Sequence, residues 1–166
     1  MTREAAIDLA LEYFDGGGFE ADLARRVAYR STAQEEVHRA ELDAYLADEL
    51  GPALTALGYT VDIVDNPTTG GGPFLVGERH ERDDAPTVLT YGHGDVVRGQ
   101  EHAWREGLDP WTLTREGDRL YGRGTADNKG QHTINIAALA AVIDARGRLG
   151  FNSRILIEMS EEIGSP

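Results

Sequence analysis

The run Pro86-Thr-Val-Leu-Thr-Tyr-Gly-His-Gly-Asp95 constrains this chain more than any other stretch. Thr87 to Tyr91 is rich in β-formers and bounded by Pro86 and Gly92, the pattern of a short buried strand. It leads into His93-Gly94-Asp95, where glycine lets the backbone turn close beside a bound atom. Residues two apart in extended backbone project to the same side, so the imidazole and the carboxylate can share one face. That pattern suits a metal-binding histidine whose second ring nitrogen is steadied by an acid. Two later stretches share the placement. Asp127 lies in Gly122-Arg-Gly-Thr-Ala-Asp-Asn-Lys-Gly130, and Glu161-Glu162 follows an apolar run. Three element ends carrying His, Asp and Glu-Glu predict a metal site at one edge of a sheet.

The rest of the chain supplies that sheet and its cover. A helix over about Glu4–Phe14 carries Ile7, Leu11 and Phe14 on one stripe, and a second runs from about Glu20 to Tyr29. Ser31 to Glu35 contains a helix-start signature. It opens a long third helix from about Gln34 toward Leu57, with Leu42, Tyr45, Leu46, Leu50 and Leu54 inward and a kink or break at Gly51-Pro52. Strands are predicted over Tyr59–Val64, Phe74–Gly77 and Thr87–Tyr91, with a hairpin of Trp111–Thr114 and Arg119–Tyr121 around Glu116-Gly-Asp118. A helix from Asn128 to about Arg146 and a strand from Arg154 to Met159 follow. The class is therefore α/β, with a mixed, mainly parallel sheet flanked by helices.

Composition narrows the chemistry. The 166 residues suffice for one domain with a real core, and 29 acids against 16 bases leave a net charge of −13. Such a surface repels polyanions, so neither nucleic acid nor an anionic membrane is an expected partner. There is no cysteine, which removes disulfides, thiolate zinc sites and a thiol nucleophile. A metal must rest on His, Asp and Glu, which suits zinc, manganese or cobalt. No run reaches membrane-spanning length and the first residues are too polar for a secretory signal, so a cytoplasmic protein is expected.

Each candidate has a plainer reading beside it. A strand-end histidine often just bonds locally, and an aspartate before a helix is commonly its N-cap, although Asp127 could also bridge two metals. Adjacent acids on an exposed helix would be unremarkable. At the end of an inner strand, Glu161 and Glu162 repel each other unless a cation or shared proton neutralises them. The glycines at 122, 124 and 130 lack a following Gly-Lys-Ser/Thr, which rules out a phosphate loop.

Tyr91-Gly-His-Gly-Asp-Val-Val97, Tyr121-Gly-Arg-Gly-Thr-Ala-Asp-Asn-Lys-Gly130 and Glu161-Glu-Ile-Gly-Ser165, in that order, closely resemble three signatures of one enzyme family. It is the co-catalytic zinc metallopeptidase family of acetylornithine deacetylase, succinyl-diaminopimelate desuccinylase, carnosine-type dipeptidases and glutamate carboxypeptidase. The resemblance spans about Thr87 to Pro166. It implies His93 as a terminal ligand of one metal, Asp127 as the bridge and Glu162 as a terminal ligand of the second metal. It implies Glu161 as general base, Asp95 as the acid that orients the histidine, and a cis peptide at Asp127-Asn128. Two Zn2+ ions per complete site, with Co2+ or Mn2+ as substitutes, are the implied cofactors. The implied substrate is a small peptide or N-acyl amino acid.

The resemblance also implies further ligands after the third motif, a lid domain through which the parent forms a homodimer, and a C-terminal catalytic segment. The expectation is thus an N-terminal part of a catalytic domain that alone binds zinc weakly and turns over little or nothing. His38 and His132 are expected on helix surfaces, and His80 and His102 in polar loops. Two readings from other classes stand beside the hydrolase: a non-catalytic binding or interaction module that keeps the fold, and a single-metal or calcium-binding acidic domain. Calcium takes about six to eight oxygen ligands, and the histidine argues against it.

Overall fold

The computed structural model describes residues 2–166. Helices α1 (Arg3–Asp15) and α2 (Gly18–Ala28) open the chain. A short 3-10 turn (Glu36–His38) leads into α3 (Arg39–Ala44), a π-helical turn (Tyr45–Leu50) and α4 (Gly51–Ala56). Of the kink or break expected at Gly51-Pro52, the break does not occur, and the irregularity is a π-helical turn just before Gly51. The Gly51 N–H bonds back to Leu46 O, and this wider winding makes room for a proline ring that would clash in a regular helix.

Strands β1 (Thr60–Val64), β2 (Phe74–Arg79) and β3 (Thr87–His93) follow. A small hairpin of β4 (Thr114–Glu116) and β5 (Arg119–Tyr121) starts three residues later than expected. Then come α5 (Lys129–Arg146), β6 (Asn152–Glu158) and a 3-10 turn (Glu161–Ile163).

The main sheet has the order β1-β2-β6-β3. It is mixed, as expected, but not mainly parallel. β1–β2 and β2–β6 are antiparallel, and only β3–β6 is parallel. The reason is connectivity. β1 and β2 are joined by a loop short enough for an antiparallel pair, whereas α5 provides the crossover that a parallel neighbour needs.

Opposed residues in the register share a face. Leu75, Gly77, Ile155 and Ile157 face a core built with Leu42, Tyr45, Leu46, Leu50, Leu54 and Ile136. The opposite face bears Val64, Val76, Leu89, Tyr91 and Leu156, with Leu89 64% and Tyr91 52% exposed. The expectation that Thr87–Tyr91 is a buried strand is therefore corrected: β3 is an edge strand. The stripe Ile7, Leu11, Phe14 is exposed.

Between α2, α5 and the π-helical turn lies a buried polar network. The Arg26 guanidinium pairs with Glu49 at 3.1 Å and donates to Thr133 Oγ1. Lys129 is fully buried, its Nζ donating to the carbonyls of Arg26 and Tyr29 and lying 4.9 Å from the Tyr45 ring centroid. Burial pushes that amine down to about 7. Among the described residues no helix is long and apolar enough to cross a membrane.

Candidate metal centre

Strands β3 and β6 run parallel and in register, with His93 opposite Glu158, so the two segments beyond their ends begin side by side. β3 turns off immediately after His93. Gly94 N–H donates to Glu158 O, Gly94 O accepts from Ser31 Oγ, and Val96 N–H donates to Ser31 O. Gly94 is required here, because a Cβ would lie 2.6 Å from the Tyr45 ring and 2.7 Å from Met159 Sδ.

Asp95 then ties the two strand ends together. Its carboxylate, fully buried, accepts the backbone N–H of Glu161 at 3.2 Å and of Glu162 at 3.0 Å. The His93 ring leans on the same residue: Nδ1 is 3.0 Å from Asp95 O and 3.5 Å from Asp95 Oδ1. The nearest acceptor of that nitrogen is thus the Asp95 carbonyl rather than the carboxylate expected from the sequence.

The other ring nitrogen faces the acids. His93 Nε2 lies 3.0 Å from Asp127 Oδ1 and 3.9 Å from Glu161 Oε2. Ligand atoms of His93, Glu161 and Glu162 all fall within 4.8 Å of one another. The segment carrying Asp127 is held by its neighbours. Asn128 Oδ1 accepts from His93 N–H, its Nδ2 donates to Gln131, and the Asp127-Asn128 peptide is cis, as expected. Asp127 makes no N-cap bond to α5, whose capping position is Asn128. A 340 Å3 cleft runs along Val97, Arg123, Asp127 and Glu162.

The electrostatics are those of a cluster short of positive charge. Among the described residues no Lys or Arg pairs with Asp127, Glu161 or Glu162; Arg123 lines the same cleft without pairing to them, and the basic group in contact is His93. Burial opposes charge on that imidazole, yet its bonds to Asp95 and Asp127 outweigh burial and hold it up, at about 9. Burial raises the Glu162 carboxyl, and the charges on Asp127, Asp95 and Glu161 add to this while His93 opposes it. One imidazole with carboxylates, and no thiolate in the chain, is a donor set for zinc, manganese or cobalt. The residues present fit such an ion.

Residues the sequence did not single out support this arrangement. Tyr91 donates from its hydroxyl to Glu158 at 2.5 Å. His132, expected on a helix surface, is buried beneath the site with Nε2 2.5 Å from Tyr45 OH. Burial keeps its imidazole well below the ordinary range. The four-residue spacing from Asn128 to His132 placed both on one side of α5, but only the packing shows that this side faces inward.

Residues 89–166 match Peptidase family M20/M25/M40. A cysteinylglycine-S-conjugate dipeptidase of Corynebacterium striatum is 35% identical over 105 residues, which is 63% of this chain and 22% of that protein. A Beta-Ala-His dipeptidase of Mus musculus is 38% identical over 94 residues, 56% of this chain and 19% of that protein. Human carnosine dipeptidase 1 superposes with a TM-score of 0.85 at 31% identity, over 95% of this chain and 35% of the solved one. The chain spans about a fifth of the length of these curated relatives. The stretch from residue 89 to residue 166, which holds the three strand-end motifs, is the part of this chain that matches peptidase family M20/M25/M40.

Proposed function

We propose that this chain carries the metal-binding edge of a hydrolase that cuts the amide bond of small peptides. His93, Asp127 and Glu162 hold divalent metal, zinc before cobalt or manganese, and Glu161 moves the proton. The observation that carries this reading is the convergence of one imidazole and three carboxylates from separate segments, with no Lys or Arg ion-paired to the acids among the described residues. The dipeptidase names of the relatives agree with it.

Bound there, a divalent cation supplies Lewis acidity, polarising the scissile carbonyl and making water a nucleophile at neutral pH. The chain's own residues do the rest. Asp95 sets the direction of both acids through their backbone N–H groups and fixes the His93 ring through its carbonyl. Glu161, the more exposed of the two acids, accepts a proton from the attacking water and returns it to the leaving amine. Asp127, with its side chain 68% exposed, stands open toward the cleft. A two-metal centre takes about five protein donors when one bridges, so a two-metal form needs donors beyond these three.

The test separates metal from proton transfer in the zinc-loaded parent protein that carries this stretch, assayed on dipeptides. Glu161→Gln should retain metal by elemental analysis while turnover falls by about 10²-fold or more. His93→Ala should lose metal and turnover together. If Glu161→Gln turns over like the wild type, or sheds metal as His93→Ala does, the assigned roles are wrong.

A further inference from the structure

At the other end of the sheet, where β2 ends and β6 begins, lies a second concave feature. It is about 440 Å3 in volume and lined by Arg79, Arg82, Arg146 and Arg148 together with His80, Glu81 and Gly150. β3 and β6 span the distance between it and the candidate metal centre. Six residue steps from Thr87 to His93 make that roughly 20 Å. In a chain with a net charge of −13, four guanidiniums around one hollow are a local inversion of sign.

The one acid in the wall does not cancel them. Glu81 accepts the backbone N–H of Leu149 at 2.6 Å and of Gly150 at 2.7 Å, and Arg79 Nε lies 3.3 Å from it. Its oxygens are thereby committed to the turn after α5. Arg79 is held as well, donating to Leu57 O. Arg82 pairs with the exposed Asp84 at 3.2 Å, and His80 with the exposed Asp83 at 3.0 Å. Among the described residues Arg146 donates only to Leu149 O, at 3.4 Å. Neither Arg146 nor Arg148 pairs with an acid among the described residues. A cation in the last turn of α5 offsets the helix dipole, which accounts for Arg146. Arg148 lies past the helix end, beyond Gly147, and has no such role.

Guanidinium groups present paired N–H donors that match the oxygens of a phosphate group, and several around one hollow favour an anion of more than one charge. We propose that this pocket is an oxyanion site for a phosphate-class polyanion, with Arg146 and Arg148 as its principal donors and Arg82 at its rim. The site is separate from the candidate metal centre, so the proposal stands or falls independently of the hydrolase reading.

Pyrophosphate is the probe, titrated calorimetrically into the wild-type protein at physiological ionic strength, with amide chemical shifts followed in parallel. One-to-one saturable binding is expected, weakened about tenfold in Arg148→Gln and in Arg146→Gln, equivalent to about 1.4 kcal/mol each. Arg119→Gln, an exposed arginine on the β4–β5 hairpin, should bind like the wild type. Shifts should centre on residues 79–82 and 146–150. Arg148 makes no ion pair whose loss would unfold the protein, and far-UV circular dichroism checks that each variant is folded. Absence of saturation at millimolar pyrophosphate would overturn the proposal, as would equal weakening in Arg119→Gln. Shifts centred on residues 93–96 and 158–164 would place the anion at the candidate metal centre and overturn it equally.

Discussion

Replacing Asp95 by Asn tests whether one buried carboxylate sets the position of both acids of the third motif. The substitution keeps shape and volume but exchanges one acceptor oxygen for an NH2 group. In the wild type Asp95 Oδ1 accepts the Glu161 N–H and Oδ2 the Glu162 N–H. In the variant one of these donors must face another donor. A hydrogen bond to a charged group contributes about 1.5–3 kcal/mol, and a buried N–H left without a partner costs about 1–3 kcal/mol. The amide keeps one of the two bonds, so the expected loss is about 2–4 kcal/mol. For a chain of this length that lowers Tm by roughly 4–16 °C, a large share of a typical stability of about 5–15 kcal/mol.

A loss of that size could come from any buried site, so the decisive readout is local. Hydrogen exchange at the amides of Glu161 and Glu162 should accelerate in Asp95→Asn well beyond exchange at other residues of the sheet. Zinc affinity should fall with it, because the carboxyl groups of those residues are no longer held beside His93. Unchanged protection at both amides, under conditions where the protein is folded, would refute the assignment of Asp95 as the positioning group.

Three further outcomes follow from the same structure. Gly94→Ala should destabilise by about 1–3 kcal/mol in urea titration, since its methyl would press on Tyr45 and Met159 at a turn with no spare room. Glu81→Gln should cost about 1–3 kcal/mol at neutral pH. Burial works against charge on Glu81, but its bonds to Leu149, Gly150 and Arg79 prevail and hold the carboxyl below its ordinary value. Its stabilisation is therefore complete above the unfolded-state value of about 4.3 and is lost as pH falls through the lower folded-state value, so the variant and wild-type curves should meet in acid. Leu89→Lys, on the open sheet face, should leave unfolding free energy within about 0.5 kcal/mol while reducing concentration-dependent association in analytical ultracentrifugation. Identical sedimentation of the two proteins would show that the open sheet face drives no self-association.

Much of this was legible in the residues. The strand-end placement of His93 and of Glu161-Glu162 could be read from short apolar runs that stop at glycine or serine. The structure groups His93 with both glutamates and sets Asp127 against the His93 ring. Strand pairing was less accessible. Nothing local to Phe74–Arg79 tells it to lie against Asn152–Glu158 rather than Thr87–His93, because that choice depends on a crossover helix that begins only at Lys129. Burial was misjudged where a pattern has two possible partners. Ile7, Leu11 and Phe14 form a stripe that the core does not use, and His132 looked like a surface residue until α5 was seen against Tyr45. The helix-start signature at Ser31–Glu35 was also put to other use. Thr32 does donate to Glu35 at 3.2 Å, but Ser31 clamps the turn after His93 instead of capping a helix.

The strand order carries a temporal consequence. β6 is central in the sheet yet last of its strands in the chain, so β2 and β3 wait without a shared partner until residues 152–158 emerge. During synthesis the helices can collapse early, but the imidazole of His93 cannot meet its acids before that insertion occurs. Insertion of β6 and assembly of the His93–acid cluster are thus coupled, and the slow non-local pairing must come first.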